Sequence, residues 1–339
     1  MQTAGLMDLQ VNGYAGVDFN DAGLTAGALD HALAAMLAAG VTQCLPTLIT
    51  AHEHELAARF AALDQAVATS RLGPLMVPGY HLEGPFLNPA PGFCGCHPAA
   101  AMIPPDPELV ARLAAGLARP ILLLTLAAER PGAEALIAWA VAQGMVAAIG
   151  HSDAGAAVVA RAAAAGARMS THLGNGLPPL LPKLDNPIMA QLAEDRLAAG
   201  FIADGVHLPV PALRAMVRAK GRGRAILVTD AVAAAAAPPG RYGFAGMAID
   251  GAADGSVRTQ GGGTLAGSAL TLDRAVRNVV AWGIATPAEA VGMASAAPAA
   301  LLGRAASGAV LWDAEMRVLA SRVGGVVYRS ENLGAASWH

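Results

Sequence analysis

The chain has 339 residues, of which 55% are hydrophobic and 14% charged, and its formal net charge is −3. This length accommodates one large domain or two small ones with a sizeable core. The near-balanced charge gives no electrostatic reason to expect a nucleic-acid partner. Cys44, Cys94 and Cys96 are too few, and odd in number, for a disulfide framework, so we expect a reducing, cytoplasmic compartment.

A long uncharged run, residues 32–51, has about the length of a membrane-spanning helix. Gly40, Gln43 and Pro46 interrupt it, and its Ala-rich helical pattern changes at Gly40 to a Val/Thr-rich strand pattern. The run therefore predicts a helix, a glycine stop and a buried strand, with no membrane partner. Residues 1–5 show no basic region followed by a long apolar core, so we expect no signal peptide.

Short apolar runs alternate with longer Ala/Leu/Arg segments along the chain. Such an alternation predicts a parallel sheet, and eight strand–helix steps in about 250 residues match a (β/α)8 barrel of the TIM type. A doubly wound open sheet is the alternative, but no Gly-rich phosphate turn follows the first strand. The predicted strands are 6–12, 41–49, 75–83, 121–126, 146–151, 168–172, 199–204 and 225–230, and the predicted helices are 28–39, 53–68, 108–117, 133–143, 156–165, 187–195 and 211–220.

Polar side chains stand at or near the ends of most of these strands. Each one taken alone is usually a satisfied structural group. In a barrel, however, the C-terminal strand ends surround one mouth, so their convergence favours a functional site. The side chains are Asp8, Gln10, Asn12, Glu83, His151, His172, Asp204, His207 and Asp230.

Glu83, His151 and His172 have the composition of a common catalytic zinc set, one carboxylate and two imidazoles. The alternatives are a helix-capping or salt-bridged acid for Glu83 and core histidines bonded to backbone. A carboxylate at a buried strand tip is costly unless a cation meets it, and the trio together favours a metal. Asp230, at the last strand end, suits a general base that returns its proton to the leaving group. A helix cap or an extra metal ligand is the alternative for Asp230.

Seven segments, spread from residue 8 to about residue 280, resemble the N-acetylglucosamine-6-phosphate deacetylases of the amidohydrolase superfamily. Together the segments are highly specific, although none is specific alone. They are Asp8–Gly13 (DLQVNG), 81–89 (HLEGPFLNP), 150–152 (GHS), 171–175 (THLGN), 202–207 (IADGVH), 228–231 (VTDA) and 263–268 (GTLAGS).

The resemblance implies hydrolysis of an N-acetyl group to acetate and an amino sugar, with one divalent metal ion, zinc or alternatively iron or another ion. Gln10 and Asn12 replace the His-x-His pair that binds a second metal in many amidohydrolases. The fourth strand also offers no lysine to bridge two metals. The implied roles are metal binding by Glu83, His151 and His172, general acid–base catalysis by Asp230, and substrate binding by His97, Asn175, Gly176, His207, Leu265, Ala266 and Gly267.

Two departures concern the phosphate. Relatives usually carry an Arg after the 171–175 segment that reaches a neighbouring subunit's phosphate, which implies a homodimer. Here that region offers Lys183, a point charge without the bidentate fork, close to Asp185. The loop before His97 has also lost a basic residue, and its Cys94, Cys96 and His97 form only a weak candidate for a separate metal cluster. Hydrolysis of an unphosphorylated N-acyl sugar or other amide is therefore the alternative, and a sugar-binding barrel without turnover is the non-enzyme alternative.

The ends of the chain also depart from the family pattern. Relatives carry a small β-sandwich formed by N-terminal residues and the C-terminus, and here it is expected to be reduced to a C-terminal remnant. We expect a catalytic domain over 1–305, a short β segment over 306–330 and a tail over 331–339. The Pro/Gly-rich stretch between Ala231 and Gly263 predicts a hairpin lid over the barrel mouth, with a plain surface loop as the alternative.

Overall fold

A computed structural model describes residues 1–330. Eight parallel strands form one sheet, whose spatial order runs from Ala225–Val228 through Ala198–Ile202, Met169–Ser170, Val146–Ile149, Ile121–Leu126, Tyr80–Glu83 and Val41–Ile49 to Leu6–Val11. The strands are β1 (Gln2–Ala4), β2 (Leu6–Val11), β3 (Gly13–Tyr14), β4 (Val17–Asp18), β5 (Val41–Ile49), β6 (Tyr80–Glu83), β7 (Ile121–Leu126), β8 (Val146–Ile149), β9 (Met169–Ser170), β10 (Ala198–Ile202), β11 (Ala225–Val228), β12 (Gly240–Phe244), β13 (Met247–Gly251), β14 (Val257–Thr259), β15 (Ala309–Trp312), β16 (Val318–Val323) and β17 (Val326–Arg329).

The two outer strands of this sheet, β2 and β11, meet and nearly close it into a barrel. The backbone N–H of Asp230 donates to the Gln10 carbonyl at 2.9 Å, and the N–H of Asn12 donates to the Ala231 carbonyl at 2.7 Å. These bonds lie at the C-terminal ends of both strands, so they also fix the mouth of the barrel. The predicted (β/α)8 barrel is confirmed.

Helices alternate with the strands and bury apolar faces against them. In α1, the N-cap Thr25 accepts a hydrogen bond from the Ala28 N–H, and Leu29, Leu33 and Met36 lie on the buried face at helical spacing. The helices are α1 (Ala26–Ala38), α2 (Glu53–Thr69), α3 (Gly73–Met76), α4 (Pro107–Ala114), α5 (Ala133–Ala142), α6 (Ala156–Ala165), α7 (Pro187–Ala193), α8 (Val210–Lys220), α9 (Leu272–Ala281), α10 (Pro287–Ala294) and α11 (Ala296–Leu301), with a 3₁₀ turn at Ala99–Ala101.

The third barrel strand differs from its prediction. The sequence predicts a strand over 75–83, but the short helix α3 ends at Met76 and the strand comprises only Tyr80–Glu83. Pro74 lies in the first turn of α3, where its fixed φ and missing N–H favour a helix start. The apolar run therefore contains two elements that hydrophobicity alone cannot separate.

The stretch after the last barrel strand forms a small sheet. Strands β12, β13 and β14 pair antiparallel in that order, which confirms the predicted hairpin and adds a third strand. Phe244, Ile249 and Val257 of this sheet pack with Ile49 and Val232 of the barrel in a separate apolar cluster. The hairpin is thus attached to the barrel mouth by its own small core.

The C-terminal strands form a second antiparallel sheet in the order β1-β15-β16-β17. The first strand, Gln2–Ala4, pairs with Ala309–Trp312, so both ends of the described chain meet in this sheet. The predicted tail over 331–339 lies outside the described residues. Within residues 1–330, no helix is both long and apolar enough to cross a bilayer.

Candidate active site

Three candidate residues stand just beyond strand ends with a left-handed backbone. His151, His172 and Asp230 have φ values of 52°, 25° and 49°. The predicted strands end at these residues, whereas β8, β9 and β11 each end two residues earlier. A positive φ costs a non-glycine residue of order 1–3 kcal/mol and is concentrated at functional sites. The backbone therefore turns each of these side chains out of the strand and into the barrel mouth.

Glu83 lies at the centre of the group and is 1% exposed. His172 Nε2 lies 3.0 Å from its Oε1 and His151 Nε2 lies 3.4 Å from the same oxygen. The Gln10 amide donates to Oε2 at 3.0 Å. Burial alone would raise the pKa of Glu83, but the neighbouring rings, with His172 hydrogen-bonded at 3.0 Å, hold that pKa well below its ordinary value. The carboxylate is therefore ionised, which is the form that binds a metal.

The hydrogen bonding of His151 tests whether this set fits a metal ion. Its Nδ1 lies 2.7 Å from the Phe93 carbonyl, which can only accept, so Nδ1 carries the proton. When the ring is neutral, Nε2 then carries a lone pair and can only accept. This buried atom has no hydrogen-bond partner. It faces a carboxylate oxygen of Glu83, another acceptor, at 3.4 Å. Two acceptors aimed at one another are satisfied by a cation between them, so the residues fit a metal.

His97 joins this group from the loop after β6. Its Nδ1 lies 3.0 Å from the Thr50 hydroxyl, and its Nε2 lies 3.9 Å from Oε2 of Glu83. Burial lowers the pKa of His97 to about 3, which leaves it neutral. The ligand-type atoms of Glu83, His97 and His151 all lie within 4.8 Å of one another. In residues 1–330, this compact group contains neither Cys94 nor Cys96.

Three histidines therefore surround Glu83: His97, His151 and His172. The sequence predicts that two of them, His151 and His172, bind a metal. His172 is closer to the Glu83 carboxylate than His97 is, at 3.0 Å against 3.9 Å. Burial opposes the charged form of His172, but the bond to Glu83 raises its pKa to about 9. A histidine at this position is fit either to bind a cation with Glu83 or to pair with Glu83 in its absence.

Asp230 lies next to this group, since it shares the Gln10 amide with Glu83, and it is held by two side-chain amides. Its Oδ1 accepts from the Asn12 amide at 2.7 Å and from the Gln10 amide at 3.2 Å. Burial, with the nearby Glu83 charge, raises the pKa of Asp230 to about 6 against the lowering effect of His172. A carboxyl group tuned towards neutrality is suited to accept and return a proton.

A layer of buried hydrogen bonds lies beneath these residues. His81 lies between the Thr47 hydroxyl at 3.1 Å and the Thr125 hydroxyl at 2.8 Å, and Thr125 continues to Thr171 at 2.7 Å. These polar groups link β5, β6, β7 and the end of β9 across the barrel interior, because each lies on a different strand or directly after it. A buried hydrogen-bond network is costly when any member loses its partner, so this layer constrains the positions of the strand ends above it.

A second part of the layer supports the strand that carries Asp230. The Thr229 hydroxyl donates to Asp8 at 2.6 Å, and the Thr229 N–H donates to the same carboxyl group at 3.2 Å. Burial raises the pKa of Asp8 to about 7 despite these bonds. Asp8 therefore positions the β11 strand end and does not line the cavity.

These residues open into a cavity of about 510 Å³. It is lined by the predicted site residues Glu83, His97, His151, His172, Asn175, Gly176, His207, Asp230, Leu265 and Gly267. Ala266 is not among the lining residues and packs into the apolar cluster beneath the hairpin. His207 Nδ1 bonds to Asp204 at 2.6 Å, which leaves its Nε2 free to act as the polar atom towards the cavity.

Gly176 shows how closely the cavity wall approaches the histidines. It has a φ of +62°, and a Cβ placed on it would lie 2.5 Å from His151 Nδ1. Both its backbone conformation and the space beside it exclude larger residues. The 174–176 turn thus packs directly against the ring whose orientation the metal fit depends on.

Several cavity residues were not predicted from the sequence. Phe244 and Arg258 reach the cavity from the hairpin region, and Cys96 comes from the loop before His97. The predicted substitute cation, Lys183, is exposed and does not line the cavity. The hairpin's position over the mouth, and not any local motif, brings Phe244 and Arg258 here, so sequence spacing carried no signal for them.

The described fold is similar to solved amino-sugar deacetylases. It superposes with a TM-score of 0.87 on a variant of N-acetyl-D-glucosamine-6-phosphate deacetylase from Mycobacterium smegmatis in complex with N-acetyl-D-glucosamine-6-phosphate. The two sequences are 31% identical, and the match covers 96% of this chain and 86% of that chain. The likeness extends over the barrel and the small sheets, so it concerns the whole fold and not a shared barrel alone.

Curated sequences give the same result with two different sugars. The chain is 36% identical over 299 residues to the N-acetylgalactosamine-6-phosphate deacetylase of Escherichia coli O157:H7, covering 88% of this chain and 77% of that protein. It is 31% identical over 278 residues to the N-acetylglucosamine-6-phosphate deacetylase of Bacillus subtilis, covering 81% and 68%. No protein-family model matches the chain.

Proposed function

Since the chain belongs to the N-acetylglucosamine-6-phosphate deacetylase family of the amidohydrolase superfamily, we propose that it hydrolyses the N-acetyl group of an N-acetylhexosamine 6-phosphate. The products are acetate and the amino sugar phosphate. N-acetylglucosamine 6-phosphate is the first candidate substrate, and its galactosamine epimer is the second, because similar relatives carry each name. An unphosphorylated N-acyl sugar is the remaining alternative.

The observation that carries this proposal is the arrangement of Asp230 against Glu83. The two carboxyl groups share one donor, the Gln10 amide, at 3.2 Å and 3.0 Å respectively. One is ionised and surrounded by histidines, and the other has its pKa raised to about 6. Two carboxyl groups pushed towards different protonation states are the pattern of a metal ligand beside a general acid–base.

We propose that Glu83, His151 and His172 hold one divalent ion, and that this ion is zinc, with iron or another divalent ion as alternatives. The lone pair of His151 aimed at Glu83 supports the fit of the donor set. Imidazole with carboxylate is a donor set that zinc favours. When bound, such an ion polarises the amide carbonyl and lowers the pKa of water.

The chain's own groups supply the remaining chemistry. Asp230 accepts the proton of the attacking water at Oδ2, since Oδ1 is occupied by Asn12 and Gln10, and then donates that proton to the departing amine. His97 is neutral, with Nδ1 at the Thr50 hydroxyl, and its Nε2 lies 3.9 Å from Oε2 of Glu83. We propose that His97 orients the acetyl carbonyl of the substrate.

The sugar is proposed to contact the outer part of the cavity. Asn175 and Gly176 contribute from the turn after His172, and His207 contributes from the loop after β10. Leu265 and Gly267 form the facing wall, and buried Ala266 sets the path of that turn. A cavity of about 510 Å³ accommodates a single hexose phosphate, since ligand cavities of this kind span roughly 300–1,000 Å³.

The test is a comparison of kcat/KM for four N-acetyl sugars with the metal-loaded protein. The set comprises N-acetylglucosamine and N-acetylgalactosamine, each with and without the 6-phosphate. We expect acetate release from at least one phosphorylated sugar at well above the rate of its unphosphorylated counterpart. Equal rates with and without phosphate would favour the unphosphorylated alternative, and metal binding without acetate release from any sugar would favour the non-enzyme alternative.

We also propose that the protein acts as a homodimer in the cytoplasm. The loop after the cavity-lining Leu177 and Pro179 carries Leu180 and Leu184, which are 87% and 74% exposed. Two large apolar side chains beside the cavity suit a contact with a second copy. The three cysteines are free, which suits a reducing compartment. Light scattering on the protein and on a Leu180→Ser/Leu184→Ser variant tests the dimer. The variant should dissociate into monomers at a higher protein concentration than the parent does.

A further inference from the structure

Arg258 is the one arginine or lysine among the residues that line the cavity, as far as the described residues 1–330 show. The other ionisable lining groups that the structure describes are two carboxyl groups, one cysteine and four histidines. Three of the histidine rings surround Glu83, and the fourth, His207, pairs with Asp204. Glu83 and Asp230 both carry negative potential at the closed end of the cavity. Among the lining residues that the structure describes, Arg258 is therefore the single permanently positive side chain, and it reaches the cavity from the hairpin region.

The position of Arg258 is fixed by its strand. Arg258 lies in β14 and forms an antiparallel bridge with Leu265, a residue of the predicted substrate-binding turn. Directly opposed residues of an antiparallel pair project on the same face, so the guanidinium shares a face with the Leu265 side chain. Its Nη1 donates to the Gly263 carbonyl, which anchors the group at the cavity rim.

Most of the donor capacity of Arg258 is left for a ligand. A guanidinium has five N–H donors, and the bond to Gly263 occupies one of them. Its electrostatic neighbour is Asp254, whose pKa is lowered mainly by bonds from Ser256 and to a lesser extent by Arg258. Within residues 1–330, no carboxylate lies within 4.0 Å of Arg258 as an ion-pair partner.

The chemistry of the substrate requires a cation at such a place. In a hexose, the acetamido group at C2 and the phosphate at C6 lie on opposite sides of the ring. With the acetamido group at Glu83 and the histidines, the phosphate points away from the closed end and towards the rim. A phosphate monoester carries nearly two negative charges at pH 7, and an arginine fork matches its oxygens with two parallel hydrogen bonds.

We infer that Arg258 recognises the 6-phosphate of the substrate from within the same chain, and this inference rests on the proposed function. Arg258 thereby takes the place of the arginine that the 177–186 region lacks. Lys183 in that region is exposed and does not line the cavity. The consequence is that phosphate selectivity resides in one subunit's hairpin and does not depend on dimer formation.

The experiment compares Arg258→Gln and Arg258→Lys with two controls, Arg241→Gln and Lys183→Gln. Arg241 lies in the same small sheet, faces Asp250 at 3.6 Å and does not line the cavity. We expect Arg258→Gln to lower kcat/KM for the phosphorylated sugar by roughly 10- to 100-fold. Its kcat/KM for the unphosphorylated sugar should change less than about twofold, and Arg258→Lys should lie between Gln and the parent.

Calorimetric binding of glucosamine 6-phosphate and of inorganic phosphate separates this inference from the proposed function. If the parent protein turns over no sugar phosphate, the proposed function fails, but loss of phosphate binding in Arg258→Gln alone still supports the role of Arg258. Equal losses for phosphorylated and unphosphorylated sugars would overturn the inference. So would unchanged selectivity in Arg258→Gln with lost selectivity in Lys183→Gln.

Discussion

The closed end of the cavity and its rim are built in opposite ways. At the closed end, Glu83, His151 and His172 are buried and each lies within about 3.5 Å of a partner from a different strand. At the rim, Arg258 is exposed and its guanidinium is anchored by a single carbonyl. The reacting groups are thus fixed by the barrel itself, whereas Arg258, which is proposed to select the substrate, lies in the attached three-stranded sheet β12–β13–β14.

This difference suggests that chemistry and selectivity can change independently. Altering the closed end disturbs a network that spans several strands, because the Thr125 hydroxyl alone joins His81 to Thr171. Altering the rim disturbs one short strand outside the barrel.

The largest expected effect is at the closed end, from Asp230→Asn. The amide cannot accept the proton of the attacking water, so kcat should fall by roughly 10²- to 10⁴-fold. Metal content should not change, because Asp230 is outside the proposed ligand set. Steady-state kinetics with metal analysis of the same preparation measures both. Activity within tenfold of the parent would remove Asp230 from the acid–base role.

The second prediction separates the two histidines on either side of Glu83. His172→Asn should weaken metal binding by more than the roughly 10- to 100-fold typical of an outer-shell partner. His97→Asn should weaken it by less than about tenfold while lowering kcat. Competition with a chelator of known affinity measures both. The reverse order would show that the compact group Glu83, His97 and His151 is the ligand set.

A reference for this pair is Thr50→Val, which removes the hydroxyl that lies 3.0 Å from His97 Nδ1 and 3.4 Å from the Glu83 backbone carbonyl, without touching His172. If His97 only orients the substrate carbonyl, Thr50→Val should reduce kcat several-fold and leave metal affinity unchanged. Metal loss in His97→Asn that clearly exceeds the loss in Thr50→Val would again favour His97 as a ligand.

The closed end could be predicted from the sequence because its residues stand directly after apolar strands. A barrel brings such positions to one mouth, so Glu83, His151, His172 and Asp230 could be grouped from strand order alone. The left-handed backbone of His151 could not be predicted, because the local sequence resembles a continuing strand. His97 needed the family resemblance, since its loop has no periodic pattern.

The rim could not be predicted for a different reason. Arg258 is separated from the nearest barrel strand by the whole β12–β13 hairpin, and its approach to the cavity depends on how that hairpin packs. The packing is decided by contacts such as Phe244 against Ile49, which are distant in sequence. Lys183, the substitute cation that the sequence offers, lies in another loop, and its contact with a neighbouring subunit's phosphate stays a prediction.

A third, smaller effect is expected from the hairpin's attachment to α2. The Arg59 side chain is 8% exposed and its Nη2 donates to the Ala245 carbonyl at the hairpin tip at 3.2 Å. Arg59→Met keeps the aliphatic contact and removes the bond, so unfolding free energy should fall by about 1 kcal/mol. KM should rise about two- to tenfold with a smaller change in kcat, because the tip carries the cavity-lining Phe244. Arg241→Met, on the same hairpin, should leave KM unchanged; equal effects of both variants would mean that the attachment is not specific.

The smallest effect concerns Asp18, whose carboxylate accepts from the Ala245 N–H at 2.7 Å on the other side of the same tip. Burial raises the pKa of Asp18 to about 6, and the charge of Asp21 adds to the rise. The bonds from the Asn20 and Ala245 N–H groups and the charge of Arg59 act in the opposite direction. His54 and Glu55 line the same surface pocket as Asp18.

In the unfolded chain the Asp18 carboxyl group ionises near pH 4. Between about pH 4 and pH 6 the folded state holds a proton that the unfolded state has lost, so stability contributed by Asp18 falls as pH rises and is constant above that range. Urea unfolding from pH 4 to pH 7 should show the parent losing stability relative to Asp18→Asn by at most about 3 kcal/mol, reduced by the partial exposure of the group. A difference in unfolding free energy between the parent and Asp18→Asn that does not change with pH would contradict this prediction. The pKa of Asp18, which binds the hairpin tip at Ala245, would then not be raised in the folded state.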